Sequence, residues 1–244
     1  METSSSFNPI ETVPDLPPLE MPDRDALGYL AVPPNITMRE LEAKMPDFRI
    51  EIGGIFGQDE RLKFLPKFGN DRSINWHQRE LAAMKDADLT HSHPGGGALS
   101  ESDLLLTAKH DARSLRAVSI VTKNKISVYD LRRPDDGWEV NTSDEDVVEY
   151  VARLMGRPAE DARESLPDIK AMDDYMLICR RARLMNAYYR AVGNAKLLIR
   201  GQLDLSKMSK FERAETLERY VHNQLSHSLR EASFEYKKEG LDGN

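Results

Sequence analysis

The chain has one cysteine, Cys179, in 244 residues. A single thiol excludes an internal disulfide and any cysteine-built zinc cluster, so a bound metal must be held by histidine and carboxylate. No apolar run approaches the roughly 20 residues needed to cross a bilayer. The start, METSSSFNPIETVPDLPPLEMPDRD, lacks the basic end and apolar core of a signal peptide. These absences point to a cytoplasmic protein of its producing cell, a profile shared by a phage-encoded protein of the host cytoplasm or the virion. Net positive charge is also missing. A formal charge of -7 argues against a chain that neutralises phosphates over its whole surface, while leaving room for a local basic patch. No internal repeat recurs at a fixed period.

Apolar residues make up 40% of the chain, enough to bury a core, and they are unevenly arranged. Residues 1–24 are rich in Pro, Ser and acid and read as an extended leader or a docking tag. Residues 25–140 mix short segments. FRIEIGGIFG and RLKFLPKF suggest a strand pair, and SINWHQRELAAMKDA a helix capped by Ser73 or Asp71. LSESDLLLTAKHDARS reads as a helix opened by the capping pattern SESD, followed by the strands LRAVSIVTKN and KISVYDLRRP. Residues 141–244 show almost no strand pattern and read as helices. The order is that of an α+β protein with a helical C-terminal region. Trp138 is expected to pack the junction between the two halves.

Histidine is sparse, six in all, yet two fall in the stretch THSHPGGGALSESD at residues 90–103. In an extended segment, side chains two apart point the same way, so His91 and His93 can chelate one ion. Pro94 and three glycines then turn the chain, and the next helix can return Asp103 as a third ligand. Three N and O donors with one open position is the plan of catalytic rather than structural zinc. Ser100, one turn before Asp103, can supply a hydroxyl to an oxyanion. Glu51, beside the glycines of EIGGIFG, is the candidate general base, with Glu60 and Glu80 as alternatives. The competing reading of the histidines is a polar loop that caps the neighbouring helix. His77 is assigned to packing around Trp76, and His110, His222 and His227 to solvated or interfacial helix faces.

EIGGIFG, then HSHP, then SESD resembles the signature of the JAMM (MPN+) zinc metalloproteases over about residues 48–130. That resemblance implies a small mixed sheet with flanking helices and hydrolysis of a peptide or isopeptide bond. It also implies Zn2+ on His91, His93 and Asp103, with Glu51 as base, Ser100 at the oxyanion, and a protein or peptide as substrate. The spacer GGGAL between Pro94 and Ser100 is shorter than the family's usual one. A second resemblance, running on to the terminal helix, is to short-loop domains of bacteriophage and mobile-element proteins near Mu-type head-morphogenesis modules.

Two further readings stay open. One is a ribonuclease or toxin-like phage protein using the histidines without metal. The other is a phage structural or host-interaction protein that has lost its chemistry. Arg180, Arg181, Arg183 and Arg190, interleaved with Tyr188 and Tyr189, are the candidate nucleic-acid or partner contact. An amphipathic helix with a wet arginine face is the alternative. Nothing in the sequence fixes an oligomeric state.

Overall fold

The computed structural model describes residues 35–122 and 125–240. The leader read over residues 1–24 lies outside the described residues, as do residues 25–34 of the segment that follows it. Six strands form one mixed sheet: β1 Ile52–Phe56, β2 Lys67–Phe68, β3 Asp88–Pro94, β4 Ser114–Thr122, β5 Lys125–Arg132 and β6 Glu235–Gly240. Their order is β2-β1-β3-β4-β5-β6. Only β3 and β4 run parallel, and the helix between them, α3 (Glu101–Lys109), makes the crossover such a pair requires. With its flanking helices and helical C-terminal region, the architecture is α+β as the segment order suggests.

Alternation along β3 divides the molecule. Leu89, His91 and His93 face one side, where Leu89 joins a core of Leu115 and Leu131 from the sheet. Leu104 of α3 enters the same cluster, with Val148 of α4 (Asp144–Met155), Leu184 and Met185 of α7 (Tyr175–Gln202), and Leu225 of α8 (Lys210–Glu231). The helical half therefore packs straight onto the sheet, in one continuous apolar core. Trp138 is fully buried in that core beside Phe234, its indole N–H donating to the Ala112 carbonyl at 3.1 Å. The short helices α5 (Ala159–Glu164) and α6 (Leu166–Lys170) follow the left-handed Gly156 that ends α4.

The opposite face carries α1 (Met38–Lys44), opened by a Thr37–Glu40 capping box. Gly54 lets this helix close on β1: a Cβ there would sit 2.8 Å from Leu41. Beneath α1 lies a buried charge cluster. Arg116 of β4, 2% exposed, pairs with Glu42 at 2.7 Å and with Asp130 at 2.9 Å, and Thr90 donates to Glu42 at 2.9 Å.

Three local expectations are corrected. Residues 73–77 are extended, not helical, and α2 spans only Gln78–Ala82, with His77 rather than Ser73 or Asp71 at its cap. The Asn70 side chain accepts from the Arg72 and Ser73 N–H groups, and Ile74 and Trp76 then alternate inward with period two. RLKFLPKF pairs with β1 only at Lys67–Phe68 and at the single bridge Leu62–Phe56, because Pro66 cannot donate to a ladder. The last helix stops at Glu231 and the chain returns as β6. Ser233 turns left-handed at φ 69°, and Phe234 and Tyr236 then bury on alternate positions while charged neighbours guard the edge.

Two measurements follow from this packing. Glu42→Ala removes one partner of a buried arginine that keeps Asp130, and should cost about 3 kcal/mol in denaturant unfolding. His222 of α8 is held neutral: burial, then Lys238, depress its pKa from 6.5 to about 4. Because the unfolded chain takes up that proton first, His222 should erode stability as pH falls from 6.5 towards 4. His222→Gln should flatten that limb of the stability–pH curve.

Candidate metal centre

The site is assembled from two adjacent strands and one helix start. β1 and β3 pair antiparallel with Gly53 opposite His91. The ladder ends at that pair, and Glu51, one residue before β1, lines the same cavity as the two histidines. Ser92, pointing the other way, accepts the Ile52 N–H at 2.9 Å and locks the alignment. Glu51 is fixed through its backbone, its N–H donating to Asn70 O at 2.6 Å and its carbonyl accepting from Gly69 N–H at 2.8 Å. Gly53 has a steric reason: a Cβ there would stand 2.7 Å from Ile74 and 2.9 Å from Trp76. The residue 70–77 segment can thus lie across β1 as a wall of the site.

After Pro94 the chain turns through Gly95, Gly96 and Gly97, with φ of 103°, 91° and 129°. These values exclude ordinary side chains and account for the glycine run. Ser100 then caps α3. Its Oγ accepts the Asp103 N–H at 3.3 Å, and Asp103 Oδ2 accepts the Ser100 N–H at 2.7 Å. The capping box that starts the helix therefore also aims the Asp103 carboxylate.

Three side chains converge. His91 Nε2 lies 2.8 Å from His93 Nε2 and 3.1 Å from Asp103 Oδ1, and His93 Nε2 lies 3.4 Å from Asp103 Oδ2. Among the described residues this is the group of His, Cys, Asp or Glu able to hold an ion. A tetrahedral ion with ligands at about 2.1 Å needs donors about 3.4 Å apart. The two edges to Asp103 come within about 0.3 Å of that and the His91–His93 edge is about 0.6 Å short, so a small separation of the imidazoles lets the three donors hold an ion of zinc's size. His93 Nδ1 contacts the Gly97 carbonyl at 3.3 Å, an acceptor that places the proton on Nδ1 and leaves Nε2 free to ligate.

Burial works to raise the pKa of Asp103, but the His91 and His93 imidazoles outweigh it and hold the carboxyl well below the usual range. His93 is the mirror case: burial lowers its pKa, Asp103 raises it more, and the Gly97 carbonyl and Glu51 add to the rise. Burial pushes the Glu51 carboxyl up, opposed by the two imidazoles. All five candidate residues line one cavity of about 570 Å³, walled on the far side by Asp71, Ser73, Ile74 and Trp76.

The other candidates lie elsewhere. Glu80 is paired with Lys67 at 3.2 Å and caps α2, Glu60 is exposed in a turn, and neither lines the cavity. His77 is exposed, His110 ends α3, His222 meets Tyr236, and His227 pairs with Glu231. The basic helix offers less free charge than its sequence suggests. Arg180 is salt-bridged to Asp111 and Glu139, Arg183 bonds Asn141 O and Asp146, and Arg181 is half-buried beside Tyr150. Of the four, Arg190 is exposed, its Nε donating to Asn186 O.

Comparison with known protein families, curated proteins and solved structures gives no match. The site is therefore read from its own geometry.

Sequence reading overlooked the cavity wall and two residues under the glycine turn, Ser119 of β4 and Glu218 of α8. A signal for Glu218 exists: it shares the helical stripe of His222, Leu225 and Leu229, where a carboxylate is out of place.

Untagged protein should bind about one Zn2+ per chain, lost in His91→Ala/His93→Ala, by metal mass spectrometry. An intact zinc stoichiometry in the double mutant would rule out this ligand set.

Proposed function

We propose that the chain is a zinc-dependent hydrolase of peptide or isopeptide bonds, with a JAMM-like site. What supports this most is the approach of His91, His93 and Asp103 at one end of a cavity that Glu51 and Ser100 also line. When bound, zinc supplies Lewis acidity there. Glu51, its carboxyl raised by burial, takes the proton of the nucleophilic water and returns it to the departing amine. The Ser100 hydroxyl oxygen accepts from Asp103 N–H and lies 2.9 Å from Ser102 Oγ; with Ser102 as the donor of that pair, Ser100 gives its proton to the developing oxyanion. Ile74, Trp76 and Leu106 give the cavity an apolar wall against which a substrate side chain can pack.

The substrate is a protein or peptide tail. The chain acts in the cytoplasm of its producing cell or of a phage-infected host, in keeping with its resemblance to phage and mobile-element domains. No described helix is long and apolar enough to cross a membrane. The metal-free ribonuclease reading has less behind it, since Arg180 and Arg183 are bound internally.

A panel of fluorogenic peptide and isopeptide substrates tests the proposal. Turnover should stop with a chelator and return with Zn2+. Glu51→Gln should lower kcat by about 10²–10⁴ with metal retained, and Ser100→Ala by about 10². RNA cleavage that survives chelation and disappears with the histidines would replace this reading.

A further inference from the structure

The turn that carries the Gly97 carbonyl to His93 is held from a distant part of the chain. Gly97 N–H donates to Ser119 Oγ at 3.1 Å and to Glu218 Oε2 at 3.3 Å. Glu218 belongs to α8, is 8% exposed, and its other oxygen accepts the Tyr129 hydroxyl of β5. Lys238 of β6 lies 4.0 Å from that same oxygen and over the Tyr129 ring. A buried carboxylate is costly unless its oxygens are satisfied, and here each has a fixed partner. The carboxylate also abuts the turn sterically, since a Cβ on Gly96 would lie 3.1 Å from Glu218 Oε2.

We propose that Glu218 is a positioning residue for His93: anchored by Tyr129, it fixes the Gly95–Gly97 turn so that the Gly97 carbonyl holds the proton on Nδ1 and leaves Nε2 directed at Asp103. Its consequence for zinc rests on the metal reading above; its consequence for the His93 tautomer does not. Two polar steps connect the helical half of the chain to His93, Glu218 to Gly97 and Gly97 to His93, and a third, Tyr129 to Glu218, ties α8 to the sheet. Glu218 touches neither the three converging donors nor the reacting atoms, so its effect passes through the turn. A glutamine can preserve the link, its carbonyl accepting from Gly97 and its amide donating to a turned Tyr129 hydroxyl.

The test uses the full chain, 15N-labelled at histidine, with NMR of the metal-free protein and Zn2+ titration against a chromophoric chelator. In the wild type, at a pH above the raised His93 pKa, the neutral His93 ring should be the Nδ1–H tautomer. Glu218→Ala should shift it towards a mixture and weaken Zn2+ binding about tenfold. Glu218→Gln should restore both to within about twofold, which a loss of packing would not do. Should Glu218→Ala not fold, Tyr129→Phe, which removes the anchor at nearly constant volume, should move both readouts the same way. A folded Glu218→Ala or Tyr129→Phe with unchanged His93 tautomer and zinc affinity overturns the inference and leaves the metal reading standing. A wild type that binds no zinc removes the metal reading, and the tautomer shift alone then decides the role of Glu218.

Discussion

A carboxylate buried between two imidazoles is the constraint around which this half of the sheet is built. Asp103 keeps its charge despite burial because His91 and His93 face it and because Ser100 N–H donates to it. Each partner arrives by a different route. The histidines come from strand alternation and Asp103 from the first turn of a capped helix, while glycines in left-handed backbone close the distance. Lengthening the turn, or slipping β3 by one residue, would scatter the donors, since a one-residue slip reverses every side chain of a strand.

The helical C-terminal region is joined to the site as well as to the core. α7 approaches the start of α3, where Tyr189 donates to Glu101 at 2.7 Å, beside the Ser100 cap. α8 reaches beneath the glycine turn through Glu218. Both helices therefore touch the two segments that must hold still for the donors to stay converged. Two arginines that look like a binding surface in the sequence, Arg180 and Arg183, instead clamp α7 to its neighbours, a use suited to the guanidinium fork.

The sheet carries buried charge on both faces, handled in two ways. Beneath α1, Arg116 is enclosed by Glu42 and Asp130, with Thr90 donating to Glu42, and all three charged groups are buried, although Asp130 Oδ1 has no hydrogen-bond partner among the described residues. On the other face the His91, His93 and Asp103 donors converge at the end of a cavity, with Glu51 beside them. The first arrangement suits a scaffold and the second suits a ligand. Only strand alternation, Thr90 on one side and His91 on the other, separates them.

The α+β class, the helix opened by Ser100, the strands on either side of residues 123–124 and the shared side of His91 and His93 follow from local rules, which need only neighbouring residues. The same rules failed at residues 73–77, where an Asn70 turn and period-two burial replaced a helix, and at residues 235–240, where Ser233 broke a helical pattern and β5 supplied an edge. Those outcomes depend on partners far along the chain. The sequence by itself determined the donor side chains, their spacing and the glycines that let them meet. Tertiary structure alone decided that Glu51 lines the cavity beside the histidines, that Ile74 and Trp76 wall it, that Arg180 and Arg183 of α7 are paired internally and that Glu218 meets the turn. Such contacts are set by strand register and helix docking between segments far apart in the chain, 121 residues in the case of Gly97 and Glu218, and no local pattern encodes them.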